Sequence, residues 1–117
     1  MKFMIFVKSD QDTENGKPPS ERLFTEMARY NEELVKAGVL LAAEGLHPSS
    51  RGARVHFTPE GTTVVDGPFA ASGELVAGFW MIDVKSREEA VAWARRSPCE
   101  PGAVIEVRQV FESGEPS

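Results

Sequence analysis

Apolar and polar positions alternate with the period of a β-strand at the start of the chain. Residues 2–8 read KFMIFVK, in which both alternating sets are mostly apolar, so a strand buried on both faces is predicted there. Residues 9–19 are polar and contain one glycine and two prolines, which predicts an exposed loop. Apolar residues then recur at helical spacing over residues 20–37, where Ser20 is placed to cap the first turn and Gly38 to end the helix.

A second helix and five further strands are predicted from the rest of the chain. Ser86 and Glu89 form a capping box ahead of a second apolar stripe, and Ser97-Pro98 ends that helix. Pro59-Glu60-Gly61 separates two short alternating segments, which predicts a β-hairpin. The further strands are predicted at residues 39–46, 53–58, 62–65, 75–84 and 103–110.

The order of these elements predicts an α+β fold, a ferredoxin-like βαββαβ sandwich with an inserted β-hairpin. Two helices cover only one face of such a sheet, and many of the strands are apolar on both faces. We therefore expect a homodimer in which the open faces meet. The alternative is a monomer whose hairpin folds across the open face.

Composition and charge narrow the class of protein. The 117 residues predict one domain over residues 1–111, followed by a frayed tail at residues 112–117. Thirteen basic and 18 acidic residues give a net charge of −5 without a basic cluster, which argues against nucleic-acid binding. No apolar run is long enough for a membrane span, the N-terminus lacks the pattern of a signal peptide, and there is one cysteine, so a cytoplasmic location is expected.

Several short motifs resemble the DGPF-domain proteins of the wider YCII-related family. The naming tetrapeptide is Asp66-Gly67-Pro68-Phe69. The other pieces, in the same order as in the family, are MKFMI at residues 1–5, NEEL at 31–34, AGVL at 37–40, EGL at 44–46 and GFW at 78–80. The resemblance covers residues 1–111 and implies a ferredoxin-like subunit of the dimeric α/β-barrel group, usually a dimer, with no assigned reaction. Some DGPF proteins are encoded beside extracytoplasmic-function sigma factors, which implies a possible regulatory partner.

The chain departs from the family pattern at two places. YCII-type members carry a His–Asp pair that could perform acid–base chemistry. The corresponding positions fall near Met27 and Lys36 here, so that mechanism does not transfer. DGPF proteins commonly have a basic residue shortly after the tetrapeptide, where this chain has Gly73 ahead of Glu74.

The tetrapeptide itself allows a structural and a functional interpretation. Asp accepts hydrogen bonds from nearby amides, Gly tolerates positive φ, Pro stiffens a bend, and Phe69 would plug the core, so turn chemistry explains every residue type. In the functional interpretation, the turn aims the carboxylate of Asp66 into a pocket together with Glu74. We favour the turn, with a pocket possible beside it.

Glu44 is an acid inside an otherwise apolar strand. It shares a strand face with Leu40 and Ala42 if the strand is regular, so it is either buried or at the mouth of the open face. A buried carboxylate must be paired or have its pKa raised. The structural alternative is an ion pair across the sheet or the dimer, with Arg54, Arg108 or Lys8 as the partner.

Four other residues carry weaker signals. Trp80 is more typical of a core, although it could face the dimer cleft. His47 and His56 could form a metal site with Glu44, but the spacing matches no known ligand pattern, so no metal is predicted. Cys99 has no evident His base and is taken as non-catalytic. No nucleotide fingerprint is present, and no cofactor is predicted.

The sequence therefore predicts a protein that binds a small organic ligand in a cleft between two subunits. In one alternative, Glu44 or Asp66 acts as a general base of an enzyme; in the other, the protein is a regulatory partner of a sigma factor. A ligand or enzyme site predicts a concave surface with perturbed acids, whereas an interaction protein predicts an exposed apolar patch. The predicted lining of the cleft consists of Glu44, His47, Asp66, Phe69, Glu74 and Trp80.

Overall fold

The structure, a computed structural model, describes residues 1–70 and 74–112. Position 73, where the chain departs from the DGPF pattern, and most of the predicted tail lie outside the described residues. The helices and strands in chain order are β1 (Lys2–Lys8), α1 (Gln11–Glu14), α2 (Glu21–Lys36), β2 (Leu40–Gly45), β3 (Ala53–Thr58), β4 (Gly61–Asp66), β5 (Val76–Asp83), α3 (Arg87–Arg95) and β6 (Ile105–Gln109), with a 3-10 turn at Ser49–Arg51 between β2 and β3.

Four of the strands form one antiparallel sheet in the order β2-β5-β1-β6. This is the strand order of a ferredoxin-like sandwich, with each helix connecting two strands of the sheet. Strands β3 and β4 form a separate two-stranded sheet inserted between β2 and β5 in the chain. The α+β ferredoxin-like architecture predicted from the element order is therefore present.

The core lies between the sheet and helices α2 and α3. An aromatic cluster forms its centre, where the ring of Tyr30 meets that of Trp80 edge-on at 5.1 Å. The Tyr30 hydroxyl donates a hydrogen bond to the carbonyl of Trp93 at 2.6 Å, and the Trp80 indole N–H donates to Asn31 Oδ1 at 2.7 Å. The buried residues of this core are Phe3, Ile5, Tyr30, Leu34, Trp80, Ile82, Val84 and Ala90.

Both predicted helices begin at the predicted caps. Ser20 accepts a hydrogen bond from the amide of Leu23 at 3.1 Å, and Ser86 accepts one from the amide of Glu89 at 3.1 Å. The Glu89 carboxylate reaches back to the amide of Lys85 rather than to that of Ser86 itself. The loop predicted over residues 9–19 contains one further helical turn, α1, which the polar composition did not reveal.

The β3–β4 hairpin projects from the sandwich instead of covering it. Every hairpin residue is exposed except Arg54, which is half-buried. The Cα atoms span 48 × 43 × 20 Å along the principal axes. The shortest of these dimensions is filled by the sheet and the helix layer, which pack ~10 Å apart. The Cα radius of gyration of 16.2 Å exceeds the ~13 Å expected for a compact chain of this length. Within the described residues the hairpin therefore does not fold across the open face, which is the arrangement that the monomer alternative expected.

Candidate functional site

The open face of the sheet is apolar at its centre. Phe3 and Ile5 point into the core, so the intervening side chain of Met4 and the following one of Phe6 point to the opposite face, where both are half-buried. Phe6 lies directly opposite Phe79 on the neighbouring strand β5. Because no helix within residues 1–70 and 74–112 covers this face, its aromatic side chains form an apolar surface that another molecule can contact.

Glu44 lies on this open face, directly opposite Phe79. The register shifts between Leu40 and Ala42, so that Leu40 is opposite Ile82 on the helix side whereas Ala42 is opposite Met81 on the open side. The expectation that Leu40 and Glu44 share a strand face is therefore wrong, because the irregularity reverses the alternation. Of the two positions predicted for Glu44, the exposed mouth of the open face is the observed one.

The three cations considered as partners of Glu44 contact other carboxylates. Arg54 lies 3.7 Å from Glu74, and Lys8 and Arg108 both contact Glu106, at 3.4 and 3.2 Å. The hydrogen bond from Arg108, assisted by the charge of Lys8, holds the pKa of Glu106 below its usual value. Within the described part of the chain Glu44 has no ion pair, so its carboxylate is available at the rim of the apolar surface.

The turn at residues 66–69 is held by backbone and side-chain hydrogen bonds from distant segments. The amide of Gly67 donates to the carbonyl of Gly52 at 2.9 Å, and the amide of Phe69 donates to Ser49 Oγ at 2.8 Å. The amide and the hydroxyl of Ser49 both donate to the carboxylate of Glu14 on α1. The Gly67–Pro68 peptide bond is cis. These contacts place the turn at the base of the hairpin and support its structural interpretation.

Arg54 brings two of the predicted site residues together. Its guanidinium lies over the ring of Phe69, 4.0 Å from the centroid, and 3.7 Å from a carboxylate oxygen of Glu74. The guanidinium therefore forms a cation–π contact with the ring of Phe69 and an ion pair with the carboxylate of Glu74 at the same time. Asp66 lies opposite Ala53 on the exposed hairpin and forms no ion pair with a described residue.

Trp80 is not on the open face. It is 4% exposed, its ring packs against Tyr30, and its indole N–H is satisfied by Asn31. A side chain on the helix side of β5 cannot line a cleft on the opposite side, so its inclusion in the predicted cleft is corrected. The aromatic residue that does face the open side is its neighbour Phe79.

The two histidines have Arg51 and Thr63 as their neighbours. His47 follows the end of β2 and lies 3.1 Å from Arg51, while His56 lies opposite Thr63 on the exposed hairpin. Within residues 1–70 and 74–112, no three His, Cys, Asp or Glu side chains are grouped as a metal site. In the same ranges, no helix is both long and apolar enough to span a membrane.

One groove among the described residues lies away from the predicted site. It has a volume of about 530 Å³, lies between α3 and β6, and has an apolar floor that includes Val91 and Ile105. None of the six predicted lining residues contributes to it. Sequence reasoning also missed Glu14 and Ser49, since no local pattern links residues 35 positions apart; Arg54 was considered only as a partner of Glu44.

Comparisons with known proteins identify a family and a similar protein. The profile of the YCII-related domain matches residues 1–113 of the chain. An uncharacterized protein of Rhizobium meliloti (strain 1021) is 30% identical over 97 residues, which cover 81% of this chain and 78% of that protein.

Proposed function

The chain belongs to the YCII-related family, and we propose that it acts as a homodimer that binds a small organic ligand between its two open sheet faces. Ligand sites in proteins are typically lined by apolar and aromatic side chains with a few placed polar groups. The open face has this composition, with Phe6 and Phe79 at its centre and Glu44 at its rim. A second copy packed over this face would turn an open surface into an enclosed cleft.

The observation that carries the proposal is the carboxylate of Glu44, which has no ion pair among the described residues and lies opposite Phe79 on the open face. A carboxylate binds hydrogen-bond donors and cations, and charge-assisted bonds are stronger than neutral ones. A neighbouring aromatic ring favours a cationic or flat organic group at the same place. The ligand class that fits is a small molecule with an apolar body and an amine or another hydrogen-bond-donating group.

A regulatory interaction, with an extracytoplasmic-function sigma factor as the partner, is the second candidate. The exposed apolar side chains of the hairpin, Phe57 above all, are the observation that favours it. A general-base role for Glu44 or Asp66 would need a partner that orients the carboxylate or its substrate. Among the described residues, no other side chain forms a hydrogen bond with either acid. No contact therefore favours the enzyme over the binding protein.

A thermal-shift screen tests the ligand site. Wild type, Glu44→Gln and the control Glu32→Gln, an exposed acid on α2, are heated with metabolites that include primary amines and with divalent metals. A ligand at a hundredfold excess over its dissociation constant stabilises the folded protein by about 2.7 kcal/mol, which raises the melting temperature by several degrees. A shift present in wild type and Glu32→Gln but lost in Glu44→Gln is expected.

Two outcomes would contradict the proposal. An equal shift in all three proteins would place the ligand elsewhere on the molecule. A library that stabilises none of them, together with a Glu44→Gln variant as stable as wild type, would make Glu44 an incidental surface acid.

A further inference from the structure

The β3–β4 hairpin presents an apolar stripe on one of its faces. Val55 lies opposite Val64, and Phe57 lies opposite Thr62, so these four side chains share a face. Val55, Phe57 and Val64 are 52%, 83% and 63% exposed. Solvent-exposed phenylalanine and valine side chains next to one another mark a contact surface more often than isolated ones do.

The stripe has no cover within the described part of the chain. Among the described strands, β3 pairs only with β4, and the 20 Å thickness of the molecule leaves no room for the hairpin above the sandwich. A two-stranded ribbon is marginally stable by itself in water. The hairpin therefore gains stability from any surface that buries the stripe.

The base of the hairpin is held in a fixed direction. The amide of Gly67 is bonded to Gly52 across the base, and Ser49 links the turn that follows β4 to Glu14. An arm that is ordered before it binds loses less conformational entropy on binding than a flexible loop. An arm that is already ordered favours a permanent interaction over a transient one.

We propose that the hairpin is an arm that packs its Phe57 stripe against a second copy of this chain. The inference rests on the homodimer of the proposed function, but not on its ligand. A two-fold operation buries the same patch on both copies, and it can cover the arm and the open sheet face in one assembly. Because the sandwich leaves both of these apolar surfaces uncovered, a second copy satisfies both.

The available area agrees with a stable dimer. At their exposed fractions, the three stripe side chains present roughly 350 Å² of surface per chain. Two arms, each covered by an equal area of the other copy, would bury roughly 1,400 Å² in total, within the ~1,200–2,000 Å² of specific protein interfaces.

Charge does not oppose contact through the arm. The hairpin carries Arg54, Glu60 and Asp66, one base against two acids, so it contributes −1 to the chain's net charge of −5. Most of the negative charge lies elsewhere, and the stripe itself has Asp66 only at its base. The hairpin therefore adds little charge repulsion between two copies.

The oligomeric state of wild type, Phe57→Glu and Thr63→Glu tests the arm. Thr63 is on the opposite face of the same hairpin, beside His56, so Thr63→Glu adds the same charge away from the stripe. Sedimentation equilibrium should show wild type and Thr63→Glu at twice 12.8 kDa. Phe57→Glu should raise the dissociation constant at least ~10-fold, with an unchanged circular dichroism spectrum.

A wild type that stays monomeric at tens of micromolar would overturn the inference, as would a Phe57→Glu dimer as tight as wild type. In a dimer of isotope-labelled and unlabelled chains, we also expect nuclear Overhauser effects between the Phe57 ring and methyl groups of the other copy. Their absence from a wild-type dimer would overturn the arm contact. A weakened Phe57→Glu dimer without any Glu44-dependent ligand shift would support the arm and contradict the ligand site. A Phe57→Glu dimer as tight as wild type, together with a ligand shift that is lost in Glu44→Gln, would contradict the arm and support the ligand site.

Discussion

The hydroxyl of Ser49 accepts a hydrogen bond from the amide of Phe69 at 2.8 Å while its proton is donated to the carboxylate of Glu14. Three segments that are far apart in the chain meet at this one side chain. The contact gives the turn at residues 66–69 a structural role, because it fixes the place from which the hairpin leaves the sandwich.

Ser49→Ala should destabilise the protein by about 1–3 kcal/mol. The substitution leaves the half-buried carboxylate of Glu14 and the amide of Phe69 each without the partner that the hydroxyl supplied. Urea unfolding measures the change, with the exposed neighbour in Ser50→Ala as the control. Equal stability of the two variants would mean that water replaces the hydroxyl at no cost.

Gly67→Ala should destabilise the protein more than a typical surface substitution, by about 2 kcal/mol or more. A Cβ at Gly67 would overlap the carbonyl oxygen of Ser49, which is backbone and has little freedom to move. The matched control is Gly45→Ala, where a Cβ meets nothing within 4 Å. A Gly67→Ala variant with the urea midpoint of Gly45→Ala would show that the turn is not in close contact with residue 49.

The phenol of Tyr30 should titrate near pH 12 in the folded protein. Burial raises the pKa of Tyr30 from 10.0 to about 12, and the positive charge of Arg96 acts weakly in the other direction. A raised folded pKa stabilises the protein fully below about pH 10, and this contribution is lost as the pH rises from about 10 to about 12. Tyr30 is the one tyrosine in the sequence, so the change in ultraviolet absorbance when a phenol loses its proton comes from this residue.

The control for that titration is the protein unfolded in guanidinium chloride, in which the midpoint should return to about 10. In Tyr30→Phe the alkaline absorbance change should disappear, and the free energy of unfolding near neutral pH should fall by about 1 kcal/mol with the hydrogen bond to Trp93. A folded midpoint near 10 would contradict the buried environment of the ring.

Trp80→Phe should lower stability without changing the affinity of any ligand that depends on Glu44. The substitution removes the hydrogen-bond donor to Asn31 and part of a buried ring, which should lower the free energy of unfolding by about 1–3 kcal/mol. Ligand affinity measured by calorimetry below the melting temperature should match wild type, whereas Phe79→Ala on the open face should weaken it. A loss of affinity in Trp80→Phe alone would place the ligand on the helix side of the sheet.

Local patterns predicted much of the fold. The caps at Ser20 and Ser86 and the glycine at Gly38, which has a φ of 73°, act within a few residues of themselves. Helix α2 therefore begins and ends where the sequence indicates. Alternation over residues 2–8 also placed the strand β1, because period two follows from the geometry of an extended backbone.

Errors arose where a distant contact decides the outcome. The alternation in β2 predicted the wrong face for Leu40, because a shift in pairing with β5 is invisible in the strand's own sequence. Trp80 and Phe79 are adjacent aromatic residues, and only their register against β1 assigns one to the core and the other to the open face. Glu14 and Ser49 had no detectable signal, since their pairing depends on how two loops meet.

The sequence by itself determined the helices, the strands and their order, because capping, side-chain periodicity and turn chemistry act between near neighbours. Only the tertiary structure decided which side of the sheet each side chain faces, where the hairpin points and what holds the turn at residues 66–69. These depend on strand register and on contacts between segments tens of residues apart. Glu44 illustrates the difference: its presence in a strand is local information, whereas its exposed carboxylate beside Phe79 follows from how that strand pairs.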